Sequence, residues 1–281
     1  THSSTLFPYT TLFRSNTASQ AEASLYGKGT LDADSVLVKA DGTATTKART
    51  QPPDIVAGVA NIAANTVVAI LSATQKAYIE NVTITRGSVE VKSILNDGID
   101  EGAVAELGSS LDKNSTSISV VGVDINIATA LSDAKNYAYI SGASIGSAAA
   151  HAGVVTVKVN GQSLATAQIQ ATANSLGLIS LGLTTLYADA SGDFQAYIDT
   201  TGANIYAASI LVDNTYTSRA NAETTQAVGG VTAEVVGIKG NIATAMVNTK
   251  AEAAIKGNGT INTNDTIKVA ATGIADSRAG V

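Results

Sequence analysis

The stretch 125-INIATALSDAKNYAYI-140 decides the fold, because its side chains sort by parity and its spacing recurs elsewhere in the chain. Counting back in twos from Ile140 gives Ala138, Asn136, Ala134, Ser132, Ala130 and Ala128, while the intervening positions are Tyr139, Tyr137, Lys135, Asp133, Leu131 and Thr129. The same count from Ile79 gives Ala77, Gln75, Ala73, Leu71, Ala69 and Val67. From Ile198 it gives Ala196, Phe194, Gly192, Ala190, Ala188 and Leu186, and from Ile255 it gives Ala253, Ala251, Thr249, Val247, Ala245 and Ala243. None of these positions carries a charge, whereas Lys76, Asp133, Lys135, Asp189, Asp193, Lys250 and Glu252 all fall on the other parity. A helix turns every ~3.6 residues and would mix the two sets within two turns, so a period of two predicts a long strand with one buried face.

The strand is one half of a repeat. Residues 21–42, AEASLYGKGTLDADSVLVKADG, match residues 251–273, AEAAIKGNGTINTNDTIKVAATG, with one residue inserted, which aligns Leu25 with Ile255. The anchors Leu25, Ile79, Ile140, Ile198 and Ile255 are then 54, 61, 58 and 57 residues apart, a spacing in the range of repeat architectures. A second alternating stretch follows each anchor. Val36, Val38, Ala40, Gly42, Ala44, Thr46 and Ala48 line one face, with Lys39, Asp41, Lys47 and Arg49 on the other. Val155 to Ile169 repeats this against Lys158, Asn160, Gln162 and Gln168, and Ile267 to Ala275 repeats it against Lys268, Asp276 and Arg278. Gly27, Gly29, Gly142, Gly257 and Gly259 mark the turn between the two strands, where positive φ is cheap. Pro52-Pro53 and Asn96-Asp97-Gly98 mark loops. Similar units stacked in register place like residues over like, which predicts an elongated all-β parallel solenoid of ~57-residue turns with two long strands each. An antiparallel sandwich of long hairpins is the alternative that the same alternation permits.

Composition supports a thin body. Of 281 residues 45% are hydrophobic but only 4% aromatic, with no Trp, no Cys and one Met, so Ala, Val and Ile supply the apolar mass. Small side chains suit two closely approaching sheets better than a round core. The net charge of −6 disfavours nucleic acid and anionic membranes as partners. Without cysteine there are no disulfides or thiolate metal sites. No apolar run reaches the ~18 residues of a membrane span. Residues 1–15, THSSTLFPYTTLFRS, hold two of the three Phe and one of the three Pro and lack the alternation of the rest. Their run FPYTTLFRS resembles translated sequencing-adapter read-through, so residues 1–15 are expected to be a non-native, disordered segment joined to residues 16–281, a single continuous repeat region from a larger protein.

The unit AxAxxxAxI, a Gly-rich turn and VxVxAxG, with RTQPPDIV in the linker, resembles the repeat arrays of leukotoxin-type filamentous adhesins and filamentous-haemagglutinin-like exoproteins of Gram-negative bacteria, over residues 21–281. The resemblance implies a very large β-helical protein, secreted to or released from the outer surface, whose partner is a host or neighbouring-cell protein or glycan. A cytotoxin segment is a further alternative within it.

The residues offer few chemical sites. Gly142-Ala143-Ser144-Ile145-Gly146 fits G-x-S-x-G, with His151 nearby, but a nucleophile elbow requires a strand-to-helix turn and further partners that the pattern lacks. His151 is the sole histidine beyond residue 15, which leaves no histidine cluster for a metal. The loop from Asn96 to Gly102 concentrates Asp97, Asp100 and Glu101 without the spacing of a calcium loop, and reads as a solvated acidic turn. No cofactor is expected. Tyr78, Tyr139 and Tyr197 each precede an anchor and therefore face outward at the same place in successive units. They form either a ladder that stabilises the stack or a flat aromatic strip for protein or glycan contact. Two functions follow: a non-enzymatic adhesive or spacer segment, or a β-helical polysaccharide-processing enzyme. The enzyme needs carboxylates and Arg or Lys clustered on one sheet face, and the outward residues five before each anchor (Thr74, Lys135, Asp193, Lys250) vary without pattern. Strands at either end of such an array are templated to accept an identical strand, so end-to-end self-association is also expected.

Overall fold

A computed structural model of the chain describes residues 7–50, 55–108, 115–171, 173–226 and 233–280, which form strands and turns and no helix. The chain winds through five turns. The first comprises β1 (Phe7–Tyr26), β2 (Thr30–Leu31), β3 (Ser35–Gly42) and β4 (Thr46–Thr50); the second β5 (Ile55–Glu80), β6 (Thr83–Ile84), β7 (Ser88–Leu95) and β8 (Ala103–Gly108). The third comprises β9 (Ser115–Ser141), β10 (Ser144–Ile145) and β11 (Ala152–Ala171), the fourth β12 (Ala173–Asp199) and β13 (Ile205–Gln226), and the fifth β14 (Ala233–Lys256), β15 (Ile261–Thr263) and β16 (Ile267–Gly280). The long strands β1, β5, β9, β12 and β14 lie side by side in that order as the first sheet, and the others form the second. All ladders among the described residues are parallel. Hairpins would pair consecutive strands antiparallel, so the alternative sandwich is excluded and the fold is an elongated parallel β-solenoid.

The register is the one the anchors predict. Leu25 opposes Ile79, Ile79 opposes Ile140, Ile140 opposes Ile198 and Ile198 opposes Ile255. The middle three are fully buried, as are the small residues counted back from them, Ala77, Ala138 and Ala196 among them. Strands of 26 or 27 residues, at about 3.3 Å per residue, run on the order of 85 Å, whereas five strands about 4.8 Å apart stack only about 20 Å high. The long axis of these five turns therefore lies along the strands.

Three expectations are corrected. The strands β5, β9 and β12 begin well before the alternation that announced them, at Ile55, Ser115 and Ala173. In these early halves the aliphatic residues change parity, as in the row Ile62, Val123, Leu181 and Ile238, where Ile62, Leu181 and Ile238 are exposed. Residues 7–15, expected to be disordered, continue β1 in unbroken register with Asn61 to Ala69 of β5; residues 1–6 lie outside the described residues. Their Thr, Phe and Tyr are good strand formers and β5 offers an edge, but Leu12 and Phe13 stay exposed, so pairing adds little burial. At the corners, Gly27, Gly142 and Gly257 adopt positive φ and Asn81 does the same work in turn two, whereas Gly29 and Gly259 do not enter that region. Pro52 and Pro53 lie outside the described residues.

The interior between the sheets is thin enough for side-chain amides to cross it. Asn214 Nδ2 donates to the Phe194 and Glu252 carbonyls at 2.7 and 2.9 Å, Asn136 Nδ2 to the Asn160 carbonyl at 2.8 Å, and Ser163 Oγ to the Ser191 carbonyl at 2.7 Å. Two large rings enter this space among the described residues, that of Tyr216 on β13 and, stacked on it with centroids 5.7 Å apart, that of the fully buried Phe194. Gly161 and Gly192 make room for it, since a Cβ on either would meet the ring at 2.5 or 2.4 Å.

The two faces of β9 predict opposite tolerance. Ala134 is 1% exposed, so Ala134→Lys buries an unpaired ammonium and is expected to cost more than about 3 kcal/mol, whereas Lys135, an exposed partner of Asp133, should change stability by less than about 0.5 kcal/mol on replacement by Ala. Denaturant unfolding of the two variants measures both; equal midpoints would show the faces to be misassigned.

Candidate functional site

The regular stack is broken outward at two places among the described residues: turn three takes ten steps from Ile145 to Val155 where turns two and four take five, and turn two widens further along the same sheet. Leu95 opposes Gly161 and Ala103 opposes Ala165, so eight steps in turn two span what four steps span in turn three. Turn one also needs only four, since Gly42 opposes Leu95 and Thr46 opposes Ala103. A thin, filled interior cannot take the four extra residues, and they bulge from the outer face as residues 96–102. The base of the bulge is pinned: Asn96, fully buried at φ 60°, accepts from the Ala44 amide at 2.7 Å and donates to the Gln162 carbonyl at 3.4 Å. Gly102 returns the chain so tightly that a Cβ there would lie 2.3 Å from the Leu164 carbonyl oxygen.

This bulge walls a groove of about 450 Å³ on the outer face of the second sheet, within the usual size of a small-ligand site. Its floor is a grid set by strand register. Gln162 and Thr217 form one row, Leu164, Arg219 and Asp276 the next, and Thr166, Asn221 and Arg278 the third, with Ile99 and Asp100 on the wall. Arg278 Nη2 pairs with Asp276 Oδ2 at 3.1 Å along β16. Arg219 is exposed and makes no ion pair among the described residues. Asn221 Oδ1 is buried and accepts no hydrogen bond among the described residues.

Positions at fixed distances from the anchors of the first sheet do not fall in the groove, so the alternation alone does not point to it. The charges that meet here belong to the second sheet, and come from three different turns. The signal that could have found them was the unequal anchor spacing: the interval from Ile79 to Ile140 is the longest, and residues 96–102 fall within it.

The three tyrosines do form a ladder. Tyr78 and Tyr139 stack with centroids 5.1 Å apart and planes 9° from parallel, and Tyr139 and Tyr197 at 4.9 Å and 1°. Ser24 and Ala254 occupy the same row on either side. Stacking at strand spacing turns the ring faces toward one another, so the ladder is not a flat strip: Tyr78 and Tyr139 are buried and Tyr197 is partly exposed. Tyr78 Oη donates to Glu22 at 2.7 Å and Tyr139 Oη to Glu80 at 2.8 Å, while the Lys76 and Lys256 ammonium groups lie 4.2 and 3.9 Å from the Tyr78 and Tyr197 ring centres. Burial, then the Glu80 carboxylate, raises the Tyr139 pKa well above the ordinary phenol value; burial also raises Tyr197 and Tyr137, and the hydrogen bond to Glu22 raises Tyr78.

Other singled-out residues are not brought together. Ser144 sits in the two-residue strand β10 with no helix after it, and His151 Nδ1 lies 3.2 Å from the Ala207 carbonyl with its ring edge against Tyr206. Among the described residues no group of three His, Asp or Glu side chains could hold a metal ion, and no helix is long and apolar enough to cross a membrane. No protein-family model, curated protein or solved structure matches the chain.

The raised tyrosines give a pH dependence of fixed sign. An acid whose pKa is higher when folded loses protons first in the unfolded chain, so its contribution is complete below the unfolded value near ~10 and falls as pH rises above it. Melting temperature should therefore drop above about pH 10. Tyr139→Phe, which also removes the bond to Glu80, should cost about 1 kcal/mol at neutral pH and flatten the alkaline fall, and the tyrosinate absorbance it removes, read as the difference from the parent chain, should appear together with unfolding. A rise in that difference well before unfolding would refute it.

Proposed function

We propose that the chain is a non-enzymatic structural and adhesive segment of a large secreted bacterial exoprotein of the leukotoxin-type or filamentous-haemagglutinin-like kind, working at or beyond the outer cell surface. The observation that supports this best is the stack itself, in which each turn lies on the one before it in register. A fold that grows by adding turns supplies reach and stiffness, and a long face built from many turns lets weak contacts to a host or neighbouring-cell protein or glycan add up. The ladder of Tyr78, Tyr139 and Tyr197 fits this reading as a brace between turns, with Tyr78 and Tyr139 buried in it.

A second reading, polysaccharide processing, is favoured by the groove alone, because Asp100 and Asp276 meet Arg219 and Arg278 on one sheet face. Asp276 is held by Arg278 in an ion pair, so one of the two carboxylates of the groove is committed to a neighbour and not free to act on a substrate.

Beads coated with the purified chain, applied to epithelial and bacterial cells, test the first reading, with a panel of polysaccharides incubated in parallel and assayed for new reducing ends. Saturable bead attachment without new ends is the expected outcome. Attachment no greater than that of uncoated beads would contradict the adhesive role, and new ends abolished by Asp276→Asn would replace it with the enzymatic one.

A further inference from the structure

We propose that the groove beside the bulge of turn two binds an acidic oligosaccharide, a run of sugar rings bearing carboxylate or sulfate groups; this names the ligand within the adhesive reading and rests on it. The site is built rather than incidental. Its wall exists only because turn two carries four residues more than its neighbours, and the buried Asn96 amide holds that wall against turns one and three.

The lining supplies what such a ligand requires. Arg219 has its guanidinium in solvent and uncommitted, and Arg278, bound to Asp276 through Nη2, keeps further N–H donors, so both can hold an anionic group in the two-pronged geometry that guanidinium favours. Asp100 on the wall accepts hydroxyl donors. Asn221 lines the floor beside Arg278, and its Oδ1, buried and without a hydrogen-bond partner among the described residues, can accept from a ligand hydroxyl once the side chains over it turn toward the ligand. Gln162, Thr166 and Thr217 add amide and hydroxyl groups around the nearly buried Leu164. With two carboxylates balancing two guanidiniums, the groove does not favour a bare anion. It favours a ligand that combines an acidic group with many hydroxyls.

An acidic peptide fits less well. Peptides gain affinity on sheets by adding a strand to a free edge. The floor strands β11 and β13 each have neighbours on both sides, β11 between β7–β8 and β13, and β13 between β11 and β16; β16 pairs with β13 alone among the described residues, but a strand added to its other edge would extend the sheet beside the groove and would not lie on the face that Arg219 and Arg278 line. Recognition must run through side chains, which suits a hydroxylated ring.

Titration calorimetry with the full chain tests this, using trigalacturonate, a sulfated heparin tetrasaccharide, neutral galactotriose and a hexaglutamate peptide as probes. At least one acidic oligosaccharide should bind saturably, and galactotriose about tenfold more weakly or not at all. Preference between the two acidic probes tells carboxylate from sulfate. Arg219→Ala and Arg278→Ala should each weaken binding about tenfold, and Asn221→Ala several-fold, with unchanged melting temperature for the exposed Arg219→Ala. Hexaglutamate binding tighter than both oligosaccharides, binding indifferent to both arginine variants, or no saturable binding to either acidic probe would overturn the proposal. If beads bearing the Arg219→Ala, Arg278→Ala double variant attach to cells as the parent does, the groove is not the adhesive element, while the adhesive reading of the stack stands.

Discussion

The narrow space between the two sheets is the constraint on which the molecule depends. Asn214 can reach the carbonyls of Phe194 and Glu252 on the facing sheet only if the sheets approach more closely there than the roughly 10 Å usual for packed sheets. That approach requires side chains the size of Ala at most inward positions, and the rows of Ala through Ala73, Ala134, Ala138 and Ala196 supply them. A core this thin has little volume per turn, so its stability comes from repetition. Each inward side chain is covered by its copies one turn above and below as well as by the facing sheet.

Two consequences follow from so little spare room. A large side chain is admitted only with matching deletions, as Phe194 is by Gly161 and Gly192. Additional residues have to leave the interior altogether. The four extra residues of turn two leave by the outer face of the second sheet, and in doing so convert a flat repetitive surface into a walled groove. The same rule that makes the array monotonous makes any departure from it stand out on the surface, where it can meet a ligand. The tyrosine ladder obeys the rule from outside: rings at strand spacing stack on each other, and the carboxylates of Glu22 and Glu80 hold their hydroxyls.

Much of this was legible in the residues. The parity of Ala128 to Ile140 gave the buried face, and the five anchors gave the register, residue for residue, because a period of two and an in-register stack each leave one solution. The early halves of the long strands were not legible, since the aliphatic parity changes between Ile127 and Ala128 and a fixed template stops matching there. The pairing of residues 7–15 was hidden for a related reason: strand addition to an edge depends on main-chain hydrogen bonds, and side-chain alternation says nothing about those. The tyrosine ladder was predicted in position but not in orientation. The groove was out of reach because Asp100, Arg219, Asp276 and Arg278 are far apart in the chain and in different turns, and become neighbours only when the register of the second sheet is known.

Stacking in parallel register is the claim from which all the rest descends, and cross-linking tests it most directly. The chain has no cysteine, so pairs can be introduced singly. Thr74 of β5 opposes Lys135 of β9 on the outer face, at the spacing of adjacent strands and within the reach of a disulfide. Under mild oxidation the Thr74→Cys, Lys135→Cys variant should form an intramolecular disulfide rapidly and retain its fold, while Thr74→Cys, Asp133→Cys, displaced two residues along the strand, should lag far behind. Equal rates for the two pairs, or faster closure of the displaced one, would contradict the parallel register and the solenoid with it.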